Sequence, residues 1–300
     1  MHMPDHLLSP TEAIVGGVAA AALIAVAVVK TKKSASSNTL PMMGVMAAFV
    51  FAAQMINYAI PGAACSGHML GGILLASVLG PWAGFLALSA VLAVQAVFFA
   101  DGGMMALGMN ILNMAAIGCL VAYPLVFRKL LGESRNPWRT IVASVVACTV
   151  ATTLGAAAVV VENGLAGAGS ALPFGEFLGA MLPTHLAIGA IEGVITGGLL
   201  WAISAANATA LDYNKEGGKV ALHKPAATML ALPLVPCCWA LAYPALHPRL
   251  PTAWSGLWNK QVRIKQSIDS QQNKITGIEN DTRDFVCALS VFRQPKTYLY

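Results

Sequence analysis

Long apolar runs separated by short polar links organise most of the chain. The runs cover roughly residues 12–29, 41–60, 68–80, 82–100, 104–127, 140–161 and 179–204, with a further one at 226–246. A helix that crosses a bilayer needs about 20 mostly apolar residues, so the pattern predicts seven transmembrane helices and a possible eighth. The third run is short for a full crossing, and only Gly80-Pro81 separates it from the fourth. Small residues are dense within the runs (Ala19 to Ala22, Ala156 to Ala158, Gly197-Gly198), which permits close helix packing. The expected fold class is an all-α polytopic membrane protein, a bundle of about seven transmembrane helices. The expected divisions are a seven-helix domain at 1–205, a cytoplasmic linker at 206–225, the possible extra helix at 226–246 and a polar tail at 247–300.

Composition narrows the class further. Of 300 residues, 57% are hydrophobic and 10% charged, whereas a soluble domain carries about 25% charged residues. Disorder is excluded for most of the chain, because disordered chains are polar, and so few charges could hardly coat a soluble globule. The net charge of +5 is spread over links and tail, which is no nucleic-acid footprint.

The basic residues set an orientation. Lys30, Lys32 and Lys33 follow the first run, Arg128, Lys129, Arg135 and Arg139 follow the fifth, and Lys215, Lys219 and Lys224 follow the seventh. Seven alternating helices put all ten on one face, which the positive-inside rule makes cytoplasmic. The N-terminus is then outside, on a face whose segments carry Asp5, Asp101, Glu162 and Glu176 and, before residue 249, no Lys or Arg. The first ten residues hold no Lys or Arg either, which does not fit a secretory signal. The remaining eight basic residues crowd the stretch after His247 and break the pattern.

Six cysteines match no zinc spacing, and most lie in apolar runs as small core residues. Cys65 differs, three residues before a histidine in an expected turn. Polar groups inside or beside apolar spans are functional candidates by default, and four places stand out. The α-amine of Met1, the amide nitrogen of His2 and the His2 imidazole can close adjacent chelate rings on one metal, with three nitrogens in a plane. Methionine aminopeptidase normally spares Met before a large residue, so Met1 is expected to remain. A fourth nitrogen would complete a square-planar site, a geometry suited to Ni(II) or Cu(II). His68, among Gly67, Gly71 and Gly72, lies on the same expected face and can supply that nitrogen; alternatively it is a helix-start histidine satisfied by backbone or water. Asp101-Gly102-Gly103 forms a turn on that face. Asn110 and Asn113 follow as i, i+3 neighbours, expected to hydrogen-bond to other helices. His185 and Glu192, seven residues apart, share one helix face as structural support, a proton relay or an ion site.

Taken in order, Met1-His2-Met3-Pro4-Asp5, Ser66-Gly67-His68, Gly80-Pro81-Trp82, Gln95 to Asn110 through Asp101-Gly102-Gly103, and Pro183-Thr184-His185 to Glu192-Gly193 resemble the membrane substrate-binding (S) component of energy-coupling factor transporters for nickel and cobalt. The resemblance spans residues 1 to about 205. It implies a bundle that captures a divalent metal from outside, with Met1, His2 and His68 as ligands; Asp101, Asn110, Asn113, His185 and Glu192, picked out above as polar groups in or near the spans, are the expected supporting residues. It implies a transmembrane coupling subunit and two cytoplasmic ATPases as partners, and a small accessory membrane subunit that in some systems is fused. The chain has no Gly-x-x-x-x-Gly-Lys-Ser/Thr loop, so it is not expected to be an enzyme. The Asp101-Gly102-Gly103 turn and the short loop before His68 look like nickel members; cobalt members tend to carry His before that Gly-Gly. Ni(II) is therefore the expected substrate and Co(II) the alternative. An intramembrane metalloenzyme is the weaker rival, since His-Glu-x-x-His is absent; a passive ion channel is another.

Overall fold

A computed structural model describes residues 1–60, 63, 65–132, 136–166, 173–206 and 210–211. These form a 3-10 turn (Asp5–Leu7), seven longer helices and a two-stranded hairpin: α1 (Pro10–Ser34), α2 (Thr39–Gln54), β1 (Tyr58–Ala59), β2 (Ser66–Gly67), α3 (Gly72–Leu79), α4 (Pro81–Phe99), α5 (Leu107–Leu131), α6 (Pro137–Leu165) and α7 (Phe174–Ala206). Helices α1, α4, α5, α6 and α7 are each long and apolar enough to cross a membrane. The protein is therefore a mostly helical polytopic membrane protein. The eighth apolar run, the polar tail and nearly all of the 206–225 linker lie outside the described residues, as does Arg135.

Local chemistry sets the helix ends. Ser9 and Glu12 form a capping box at the start of α1, with Glu12 N donating to Ser9 Oγ (3.3 Å) and Ser9 N to Glu12 Oε2 (2.9 Å), and Pro10 opens the helix. Gly80 at φ +86° separates α3 from α4, and Pro81 starts the latter, as the Gly80-Pro81 pair in the sequence indicated. The second and third apolar runs are used differently from the rest. Helix α2 stops at Gln54, and the chain beyond it turns into the hairpin, pairing Tyr58 with Gly67 and Ala59 with Ser66. Helix α3 has only eight residues, about 12 Å of helix. It packs against α2, α4, α5, α6 and α7, and seven of its residues, Gly72 to Val78, are buried. A segment covered on every side is apolar all round, which is why its sequence resembled a short membrane span.

Glycines let the long helices touch. Gly189, Gly193 and Gly197 recur every four residues on α7, and a Cβ at any of them would strike α6 at Thr149, Val145 or Ile141. Helices α6 and α7 share the most extensive interface in the bundle. Gly72 and Gly118 bring α3 and α5 together in the same way. Over Ile111–Phe127, α5 is π-wound, with hydrogen bonds reaching one residue further than in an α-helix.

Candidate metal-binding site

Three stretches, all outside the long helices, build the site: the first residues of the chain, the segment after the hairpin, and the α4–α5 link. Met1, His2 and Met3 are buried despite being terminal. Burying Met1, Met3 and Leu7 removes large apolar groups from water, each worth about 1.5–3 kcal/mol. The Met1 side chain lies against α6 at Gly155, where a Cβ would stand 2.7 Å from the Met1 methyl carbon. Polar contacts then fix the register. Met3 N donates to Asn110 Oδ1 (2.9 Å), while its carbonyl accepts from Asn110 Nδ2 (3.1 Å) and from Gly103 N (3.0 Å). Ala106 N donates to Asp5 Oδ1 (2.9 Å). Gly102 holds φ +92°, and a side chain there would stand 2.9 Å from His2 Nδ1, so glycine is required on both counts.

The Met1 amine donates to the Ser66 carbonyl on β2. Two residues on, the His68 ring faces that of His2, with centroids 4.6 Å apart and planes tilted by 37°. His68 Nδ1 lies 2.7 Å from the Met69 carbonyl oxygen. A carbonyl only accepts, so Nδ1 carries the proton and Nε2 keeps its lone pair. This tautomer-fixing bond to a carbonyl is the arrangement found behind metal-ligating histidines. Both His68 Nε2 and His2 Nε2 are buried without a hydrogen-bond partner. Asp101 Oδ2 lies 4.0 Å from His2 Nε2. The Asp101 carboxylate also accepts from Asn57 Nδ2 (2.8 Å) and from the Ser66 hydroxyl (3.5 Å), tying the hairpin to the α4–α5 link.

Two buried side chains steady the segment that follows His68. Glu192 of α7 accepts from Leu70 N (2.7 Å) and Gly71 N (2.9 Å), and Gln54 Nε2 of α2 donates to the Leu70 carbonyl (2.6 Å). Gly71 adopts φ +74° to allow this turn. His185 does not pair with Glu192: its Nδ1 lies 2.8 Å from the Met181 carbonyl oxygen, and its own carbonyl accepts from Thr152 Oγ1 (2.9 Å). Asn110 and Asn113 also diverge. Asn110 holds Met3 of the terminal segment, not another helix, whereas Asn113 Nδ2 donates to both oxygens of Glu162 on α6 (3.0 and 2.8 Å). The π winding that starts between them takes Asn113 off the face that meets the terminus. Glu162, which the charge pattern assigned to a loop face, is buried among the helices.

Burial suits these groups to binding a cation. It lowers the Met1 amine to about 5 from its ordinary 8.0, against smaller opposing effects of Cys65 and Asp101. His2 is lowered to about 3 by burial and by the nearby amine, and His68 well below the ordinary histidine range for the same reasons. All three are therefore neutral donors at physiological pH. Burial raises Asp101 and pushes the Cys65 thiol up to about 11, so Cys65 packs and does not react. Cys119 and Cys148 are likewise buried and unpaired with another cysteine. No group of three or more His, Cys, Asp or Glu side chains among the described residues could share one ion. An ion between His2 and His68 would therefore draw on the terminal amine and on backbone nitrogen.

Sequence reasoning missed Asn57 and Gln54, and it named Ser66 only as part of the Ser66-Gly67-His68 motif, without its contacts. Gln54 and Asn57 are uncharged amides inside the 41–60 run, which is the signal that could have marked them, and Ser66 lies between two runs.

Residues 2–210 match the family described as the cobalt uptake substrate-specific transmembrane region, CbiM. The chain belongs to this family. Among its relatives is a protein of Archaeoglobus fulgidus provisionally named a fused nickel transport protein, NikMN, 34% identical over 78% of this chain and 76% of its own length. The cobalt transport protein CbiM of Sorangium cellulosum is 34% identical over 57% of this chain and 76% of its own. The fold also superposes on the crystal structure of a truncated transition metal transporter with TM-score 0.63 and 34% identity, over 69% of this chain and 99% of that one. As a CbiM-family member the chain is a membrane transport protein for nickel or cobalt, whose relatives are named transporters and not enzymes.

Proposed function

We propose that the protein is the substrate-binding subunit of an ATP-driven energy-coupling factor transporter that captures Ni(II). The observation that carries this is the convergence of the buried Met1 amine, the His2 backbone and ring, and the unpartnered His68 Nε2 in one place. In this reading the amine, the His2 amide and the His2 imidazole chelate the ion in a plane, and His68 Nε2 closes the square. The amide proton must leave on binding, so capture releases protons. Four nitrogens in a plane suit Ni(II), and a fused nickel transporter among the relatives agrees with it. Co(II) is the second reading, favoured by the family description and by the Sorangium relative.

An N-terminus on the outside would place the site on the outer face of the bundle. A transmembrane coupling subunit and two cytoplasmic ATPases would drive release, and the region after residue 205 would supply, or dock, an accessory membrane subunit. The test is metal analysis of purified protein with an unmodified N-terminus, with Ni(II) and Co(II) in competition. One equivalent of Ni(II) should be retained, and His2→Ala and His68→Ala should each abolish high-affinity binding. Preference for Co(II) would select the second reading. Unchanged binding after adding residues before Met1 would refute the site.

A further inference from the structure

A third imidazole repeats the preparation seen at His68. His185, on α7, is fully buried, its Nδ1 is bonded to the Met181 carbonyl, and its Nε2 has no partner. Because that carbonyl can only accept, Nδ1 holds the proton and Nε2 presents a bare lone pair. A buried acceptor without a donor is unfavourable, so it calls for an occupant. The Thr152 hydroxyl pins the His185 backbone to α6, which leaves the ring little freedom. The helix that carries His185 lies against β2 and, through Glu192, holds Leu70 and Gly71, so α7 borders the chain on both sides of His68. His185 does not join His2 and His68 in one cluster able to hold an ion, so it is no simultaneous ligand in this conformation.

We propose that His185 Nε2 is a second, inner ligand for the transported metal, which takes the ion in company with His68 once the Met1 amine and His2 withdraw. This rests on the capture site proposed above and adds the step after capture. His68 would be common to both stations, so the ion changes ligands one side at a time and is never left bare in the bundle. Met1 and His2 belong to a terminal segment held by hydrogen bonds and three apolar side chains, which can withdraw, whereas His185 belongs to a long helix packed along α6 and stays. No bond is oxidised or reduced; three nitrogen donors leave the ion (the amine, the imidazole and the amide, which takes back the proton it lost on capture) and one enters, with water completing its shell.

The decisive variant is His185→Asn, whose side-chain amide can still donate to the Met181 carbonyl but has nothing in place of Nε2. With an unmodified N-terminus it should bind one Ni(II) at the unaltered dissociation constant, while radioactive nickel uptake by cells that depend on the full-length chain falls about tenfold or more. Ligation is read directly with Co(II). His2→Ala disables capture, and titration of that protein with Co(II) should still give the visible bands of an imidazole-bound ion. Those bands should vanish in His2→Ala/His185→Asn and in His2→Ala/His68→Ala. Should the Asn variant fail to accumulate, His185→Gln, which brings an amide oxygen towards the Nε2 position, should shift the bands. Uptake at the original rate in His185→Asn, surviving or unshifted bands, or a loss of uptake matched by an equal loss of capture affinity would each overturn the inner ligand. Failure of the capture site is read separately, as unchanged Ni(II) binding in His2→Ala or His68→Ala with His185 intact.

Discussion

Two hydrogen bonds from one side-chain amide decide where the terminal amine falls. Asn110 meets both the N–H and the carbonyl of Met3, so a shift of the terminus by a single residue would break both. Register matters here because the donors include a backbone nitrogen, which no rotamer change can recover. Asn110→Leu should therefore weaken Ni(II) binding by about 10–100-fold, as losing a group that orients ligands generally does. Asn110→Asp, which still accepts from Met3 N but no longer donates, should fall between; calorimetric titration of both variants checks this. The same terminus carries a pH dependence. The docked Met1 amine sits near 5 against an ordinary 8.0, so the docked state binds fewer protons than the released one. Docking is then fully favoured above about pH 8 and is lost as pH falls through about 5. Amide hydrogen exchange at Met3 and Leu7 in metal-free protein, corrected for its intrinsic pH dependence, should accelerate over that interval. Constant protection would mean that the amine is not buried in its neutral form.

At the scale of elements, Glu192 joins a long helix to the segment bearing His68. Its two carboxylate oxygens take the amides of Leu70 and Gly71, donors that would otherwise be orphaned at the start of α3. Glu192→Ala should free that turn and lower Ni(II) affinity with little change in the visible spectrum of whatever ion is bound, since Glu192 touches no metal. Glu192→Gln keeps one acceptor and should retain more affinity than Ala; equal losses in the two would show that charge, not hydrogen bonding, is what α7 supplies. The α6–α7 contact behind it has its own test. Gly193 meets the Val145 backbone with no room for a side chain, so Gly193→Leu should lower the thermal unfolding temperature and the yield of folded protein, where the same change at Gly198, which faces open space, should not. Element by element, the long helices were legible because apolar length reports them directly. The ends of α2 and α3 were not. Residues 55–60 and 65–71 look like parts of two spans by hydropathy, but the left-handed turn at Gly71 and the paired strand edges make them a hairpin and a loop, and hydropathy does not register backbone pairing. The diverging roles of Asn110 and Asn113 were hidden for a similar reason, since an i, i+3 argument assumes α winding and α5 departs from it at Ile111.

For the molecule as a whole, the terminal segment is bound to elements distant in sequence. Met3 meets Asn110 and Gly103, Met1 meets Ser66 and the α6 surface, and Asp5 meets Ala106. The sequence named Met1, His2 and His68 because the chelate chemistry of a second-position histidine is local. It could not show that the cradle is made by Asn57, Ser66 and Asn110, because those contacts depend on how the chain closes. A consequence is that the first residues join the fold most firmly when an ion ties them to His68. Ligand that binds only the folded protein stabilises it by RT ln(1 + [L]/Kd), about 2.7 kcal/mol at a hundredfold excess over Kd. With a native N-terminus, saturating Ni(II) should raise the unfolding temperature in detergent by several degrees. A Gly-Ser extension ahead of Met1 moves the free amine out of reach while leaving every helix intact, so the extended protein should unfold as a helical protein with the nickel-dependent rise abolished. An equal rise in the extended protein would mean that the ion is held away from the terminus, and the buried amine would then serve docking alone.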